Sequence, residues 1–199
     1  MKCDDRKGTH LQYDLVVDAT HPYAVEVSAN IRSAAARTGV SLVRLVRTGD
    51  SGENQDRLAQ GCDAVYVDSA VSAAAYLAET EGRILLTTGS KELGAFREIP
   101  ADRLYVRVLP TAESIGACGE AGIPYRNTIA MVGPFSREMN AATLRQYQIA
   151  WMVTKESGKA GGFDEKMEAC RETGARPVVI ARPKESGFSM EEVLALIEK

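Results

Sequence analysis

Asp18-Ala19-Thr20-His21-Pro22-Tyr23-Ala24 gathers a carboxylate, a hydroxyl and an imidazole directly after the apolar run Leu15-Val16-Val17. The order is strand, then Thr-His-Pro, then a helical pattern. Thr20 is expected to act as an N-cap, and Pro22 to lie in the first helical turn, where its missing N–H is no loss. In open α/β sheets ligands bind beyond the carboxyl ends of the strands, so this corner is a place for polar chemistry. His21 and His10 are the only histidines. A lone histidine at a strand end serves as a proton donor or as a structural hydrogen-bonder. No second His or Cys is spaced to share a metal ion with it.

Three further turns follow apolar runs. Thr87-Thr88-Gly89-Ser90-Lys91 offers hydroxyls, a glycine and a lysine, the means to cradle a phosphate through backbone N–H groups and a cation. It lacks Walker A spacing, and an ordinary βα turn with a solvated lysine is its bland alternative. In Met131-Val132-Gly133-Pro134-Phe135-Ser136, Gly133 allows close backbone approach and Ser136 suits a helix N-cap. The stretch from Val153 to Phe163 carries Thr154, Lys155, Ser157, Lys159, Gly158, Gly161 and Gly162 and leads into a helix containing Lys166. Glycines let a backbone approach a ligand, and lysines answer an anion. No GxGxxG fingerprint occurs, so a dinucleotide site here has to be assembled from several loops.

The elements that must position these turns read as alternating strands and helices. Strands are expected at 14–18, 42–46, 64–67, 83–87, 104–108, 128–132, 149–153 and 177–181. Several are continuous Val/Ile/Leu runs, the mark of strands buried on both faces in a parallel sheet. Helices are expected over 70–79, 112–121, 137–146 and 163–173. Two more show in the spacing of Val27, Ile31 and Ala34 and of Met190, Val193, Leu194 and Ile197. Gly39, Gly122 and Gly174 stand where C-caps belong. The fold class is α/β with right-handed crossovers. A boundary near Asp68–Ser69 gives a partial first domain, 1–68, and a doubly wound second domain, 69–199.

At 199 residues and 45% hydrophobic, the chain can bury a sizeable core, and a net charge of −3 argues against a general nucleic-acid binder. The cysteines Cys3, Cys62, Cys118 and Cys170 form no CxxC pair, which fits reduced thiols in a cytoplasmic protein. Cys118 and Cys170 are read as core. No apolar run approaches the roughly 20 residues of a membrane span, and the polar start carries no secretory pattern.

With these turns in view, the chain resembles the precorrin-6A and cobalt-precorrin-6A reductases of cobalamin biosynthesis. The resemblance rests on DATHPYA at 18–24, LLTTGSKEL at 85–93, RVLP at 107–110, AMVGPFSREMN at 130–140, MVTKESGKAGGFDEK at 152–166 and VVIARP at 178–183, in that order. It implies two Rossmann-like parallel-sheet domains and reduction of a carboxylate-rich tetrapyrrole by NADPH or NADH, without metal or flavin. Within that frame the turns are expected to divide the work: cofactor binding to Thr88, Gly89, Ser90, Lys91, Gly133, Pro134 and Phe135, substrate binding to Thr20, Tyr23, Thr154, Ser157, Gly161, Gly162, Phe163 and Lys166, and chemistry to His21 and Lys155. Family members open with a strand and a GGTxEA-type turn. Nothing like it precedes Lys2, so the N-terminal domain is expected to be incomplete, with an exposed strand edge that favours self-association. The rival readings are another NAD(P)-dependent tetrapyrrole reductase, a shortened non-catalytic binder of tetrapyrrole or nucleotide, and a purely structural domain.

Overall fold

The computed structural model describes residues 13–46, 63–156, 161–183 and 186–198. By contact the chain divides into two compact units, one of 1–49 with 183–199 and one of 50–182. The smaller unit contains strands β1 (Leu15–Asp18) and β2 (Ser41–Arg44), paired in parallel, with helix α1 (Val25–Thr38) between them. It also contains the C-terminal helix α6 (Met190–Ile197). Ser189 opens α6 with a capping box: its hydroxyl accepts from the Glu192 amide while the Glu192 carboxylate accepts from the Ser189 amide. Phe188 pairs with Leu45 in parallel alongside β2. Val193 from α6 packs with Val43, Leu45, Leu15 and Val17 into a small core.

The larger unit holds a six-stranded, all-parallel sheet in the order β3-β8-β7-β4-β5-β6. Its strands are β3 (Val65–Val67), β4 (Arg83–Leu86), β5 (Leu104–Val108), β6 (Thr128–Ala130), β7 (Ile149–Lys155) and β8 (Arg176–Ile180). Its helices are α2 (Ala70–Ala78), α3 (Ala112–Glu120), α4 (Arg137–Gln146) and α5 (Phe163–Thr173). Successive residues of a strand face opposite sides of the sheet, and the apolar runs supply both sides. Ile84, Leu86, Val106, Val108 and Val153 pack with Ala73, Leu77 and Cys118 of α2 and α3. Leu85, Tyr105 and Met152 pack with Ala141, Leu144, Ala169 and Cys170 of α4 and α5. The sheet is therefore covered on both faces, which is why its strands read as unbroken apolar runs. From β4 the chain winds outward through β5 and β6, then returns to lay β7 on the other side of β4. That reversal, between β4 and β7, is the topological switch point, where open α/β sheets form their binding crevice.

Three sequence expectations change. The 68–69 boundary assigned β3 to the first part and α6 to the second. In the structure β3 is the edge partner of β8 in the six-stranded sheet, while the segment before α6 pairs beside β2 in the smaller unit. These are long-range pairings that local composition does not report. Thr20 does not cap α1; Ala24 occupies that position without a side-chain cap, and Pro22 lies in the preceding turn. The Thr20 hydroxyl is instead engaged by Asp18 and Arg44. Gly39 and Gly174 end α1 and α5 as expected, whereas Ala121 ends α3 one residue before Gly122.

Candidate functional site

Strand parity decides what lies on the floor of the larger unit's cleft. Val106 and Val108 face α2 and α3, so Arg107 between them faces α4 and α5. Thr154, one step beyond Val153, faces the same way. Arg107 is 6% exposed and Lys166, in the first turns of α5, is 8% exposed. Arg107 Nη1 donates to Asn140 Oδ1 at 2.8 Å, and its guanidinium lies 3.9 Å from the Phe135 ring centroid. Lys166 Nζ donates to the Gly161 carbonyl at 2.9 Å and to Thr154 Oγ1 at 3.2 Å.

All of these partners are neutral, and among the described residues neither cation has a carboxylate within ion-pair distance. Burial, and then the neighbouring Arg107 charge, push the Lys166 ammonium down to about 8, with Glu165 pulling the other way. Burial alone pushes Arg107 down to about 10, so it remains charged at neutral pH. Buried cations whose hydrogen-bond partners are neutral retain much of their field, because the low-dielectric surroundings screen it weakly.

Around this floor runs a cleft of about 400 Å³, lined by Thr87, Thr88 and Gly89 after β4, by Arg107 to Leu109 at the end of β5, by Met131 and Gly133 to Phe135 after β6, and by Gly161, Gly162 and Lys166 after β7. The three turns singled out in the sequence thus meet at one sheet edge. Thr88 Oγ1 is buried and without a hydrogen-bond partner among the described residues. Gly162 sits at φ +64° at the head of α5, with its Cβ position 3.8 Å from the Phe135 carbonyl oxygen, so a side chain there is strained. Ser136 caps α4, its hydroxyl accepting from the Met139 amide at 3.3 Å, and this anchors the Gly133-Pro134-Phe135 turn. At the lip, Leu109, Met131 and Val132 are exposed apolar groups.

Of the residues proposed from sequence, Thr88, Gly89, Gly133, Pro134, Phe135, Gly161, Gly162 and Lys166 line this cleft. Ser90 lies beyond it with its hydroxyl directed to Ser114 Oγ, and Lys91 is exposed. Thr154 is wholly buried and accepts from Lys166, so it positions the lysine. Lys155 forms an ion pair with Glu92 at 2.9 Å. Phe163 corrects an expectation: its ring is fully buried against Met167 and Val179, in the core and away from any ligand surface. Ser157 lies outside the described residues.

Arg107 was missed as a site residue. Its signal was present: a charge inside a strand buried on both faces has no solvent to meet.

Thr20, His21 and Tyr23 belong to the smaller unit. Asp18, 3% exposed, accepts from the Thr20 amide at 3.0 Å and the Thr20 hydroxyl at 2.7 Å, and pairs with Arg44 at 2.7 Å. Arg44 also donates to Thr20 Oγ1 and to the Thr20 carbonyl. Burial raises the Asp18 carboxyl, but the Thr20 bonds, Ser28 and Arg44 outweigh it and the net shift is downward. His21 is exposed and stacks on Tyr23 at 5.6 Å.

A native carboxyl held below its unfolded value contributes stability that is present above about pH 3.9 and lost as pH falls through the native value. Asp18→Asn is therefore expected to lower stability by about 2 kcal/mol at pH 7, because it removes the ion pair with Arg44. The gap to the natural chain should close in acid, and urea unfolding at pH 7 and pH 3 checks both.

The family model described as Precorrin-6x reductase CbiJ/CobK matches residues 8–198. The cobalt-precorrin-6A reductase of Priestia megaterium is 40% identical over 173 residues, which cover 85% of this chain and 65% of that protein. The cobalt-precorrin-6A reductase of Salmonella typhimurium is 40% identical over 170 residues, covering 84% of this chain and 62% of the relative. The precorrin-6A reductase of Rhodobacter capsulatus is 30% identical over 168 residues, at 84% and 62%. Among solved structures, one named CobK precorrin-6A reductase superposes with a TM-score of 0.67 at 27% identity, covering 93% of this chain and 72% of that one. The chain spans less than two thirds of the length of these curated relatives.

Proposed function

We propose, for a chain that belongs to the precorrin-6x reductase family, that it takes part in the nicotinamide-dependent reduction of precorrin-6A or its cobalt form to the 6B form. The observation that carries this reading is the convergence of three βα turns on one cleft whose floor holds two buried cations and whose lip is apolar. That combination suits ligands that join anionic groups to flat, weakly polar bodies, as nicotinamide dinucleotides and carboxylate-bearing tetrapyrroles do.

The residues present fit a nicotinamide dinucleotide. Among the described residues the buried Thr88 hydroxyl has no partner, and Arg107 and Lys166 form no ion pair. The cofactor, when bound, supplies a hydride. The chain's own part is binding and orientation. Thr88 and the Gly89 backbone would hold an anionic group beyond β4. The Gly133-Pro134-Phe135 turn would limit its position from the β6 side, and the apolar lip would shelter the reacting faces from water. His21 remains a proposed proton donor or positioning group and Lys155 a proposed contact for an anionic group, and a cytoplasmic location is part of this proposal.

The test is titration of the chain with NADPH and NADH, followed by nicotinamide fluorescence, then anaerobic turnover with precorrin-6A. The expected result is saturable binding of at least one nucleotide below about 1 mM and a product heavier by two hydrogens. Absence of nucleotide binding in that range overturns the reading.

A further inference from the structure

Arg107 and Lys166 converge on one cleft floor from different elements, β5 and α5, and each is more than nine-tenths buried. Removing two cations from water is unfavourable by several kcal/mol each unless a counter-charge answers them. Folds that need such groups only for stability pair them with carboxylates. Here the hydrogen-bonding groups are Asn140 Oδ1, Thr154 Oγ1 and the Gly161 carbonyl, with the Phe135 ring beside Arg107, all neutral. The Glu165 carboxylate acts on Lys166 without forming an ion pair among the described residues, and burial and the Arg107 charge outweigh it. Donors also remain: a lysine has three N–H bonds and an arginine five. Two are used on Lys166 and one on Arg107 among the described residues. Thr88 Oγ1, on the same cleft, is buried and unpartnered.

We infer that Arg107 and Lys166 together form a two-cation subsite for a single oxyanion, a phosphate or carboxylate group of the ligand, with the Thr88 hydroxyl as its third donor. The inference rests on the proposed function only for the molecule that carries the anion. A planar guanidinium and a point-charge ammonium are complementary partners for such a group, and the surrounding low dielectric strengthens both contacts.

The subsite is also a proton-linked one. The charged groups that act on Lys166 are Arg107 from β5 and Glu165 from its own helix. Thr154 on β7 and Asn140 on α4 are neutral, Lys155 is paired with Glu92, and Arg137 and Arg145 of α4 are paired with Glu172. With its ammonium near 8, Lys166 sheds its proton within reach of neutral pH unless an anion holds it. Anion affinity should therefore weaken about tenfold between pH 7 and pH 9.

The experiment uses the full chain labelled with ¹³C and ¹⁵N in lysine, the Lys166 signal being identified by its loss in Lys166→Gln. The probes are inorganic pyrophosphate, NADPH and an octacarboxylate porphyrin. The Lys166 titration midpoint should lie near 8 without a probe and rise by about one pH unit or more on saturation with at least one of them. A shift with pyrophosphate or NADPH identifies a phosphate as the occupant, and a shift with the porphyrin alone identifies a carboxylate. Lys166→Arg, which retains charge across this range, should bind the same probe with a flat pH profile. A midpoint that stays put under all three probes overturns the inference, as does a Lys166→Arg variant with the natural pH dependence. Turnover with an unmoved midpoint sinks this inference and leaves the proposed function standing. A shifted midpoint without turnover does the reverse.

Discussion

Lys166→Met is expected to make the protein more stable at pH 7 while removing most of its affinity for anions at the cleft. The sign follows from the direction of the shift. An unfolded lysine titrates near 10.4, whereas in the fold burial brings Lys166 down to about 8. Below about 8 the ammonium is charged in both states, and the fold carries the full penalty of burying it. Between about 8 and 10.4 the unfolded chain binds the extra proton, so stability rises with pH. Above that range the penalty is gone. Methionine fills a similar volume without the charge. Its advantage should be on the order of 1–3 kcal/mol at pH 7, reduced by the hydrogen bonds to Thr154 and Gly161 that it cannot make, and should vanish by about pH 10.5. Urea unfolding across pH 7 to 10.5 measures this. A methionine variant less stable than the natural chain at pH 7 would contradict the account of Lys166 as a buried charge without an ion pair among the described residues. Stability given up at a ligand site in return for function is a common arrangement.

Arg107→Ala should have the larger effect on binding. The guanidinium lies between the Phe135 ring and Asn140, so its removal withdraws one of the two charges on the floor. It also leaves Asn140 Oδ1 without that donor and opens space beside the ring. Affinity for whichever probe shifts the Lys166 midpoint is expected to fall by about 10- to 100-fold, the effect of deleting a charge-assisted contact in a desolvated site. Stability should drop by about 1–3 kcal/mol through the cavity and the unpaired amide oxygen. Arg107→Met separates the two effects. It refills the space and removes the buried charge, so stability should recover while affinity stays low. Equal affinity for that probe in the natural chain and both variants would remove Arg107 from the site.

Much of the fold was legible because its causes are local. Continuous runs such as Ile84-Leu85-Leu86 and Val178-Val179-Ile180 announce strands with no solvent face, and all lie in the parallel sheet. Ser136 announces a helix start by offering an oxygen to amides that lack partners, and it does so. Thr20 misled for the same local reason: a hydroxyl before a helical pattern looks like a cap, but a buried carboxylate and Arg44 compete for it. The place of β3 was illegible, because its partner β8 lies more than a hundred residues onward and pairing leaves no trace in composition.

The amino-acid order alone determined the αβ alternation, the family resemblance and the three glycine-bearing turns, since apolar period, turn chemistry and motif are properties of neighbouring residues. The tertiary structure decided which side chains those turns surround. Asn140 meets Arg107 across 33 residues of chain and Thr154 meets Lys166 across 12, and strand parity sends Arg107 and Thr154 to the face that α4 and α5 cover. Phe163 was drawn into the core by that same helix docking, and Arg107 was enclosed by it. Burial is a sum over elements far apart in the chain, so the strength of a charge's field, and hence its part in binding, exists only once the layers are packed.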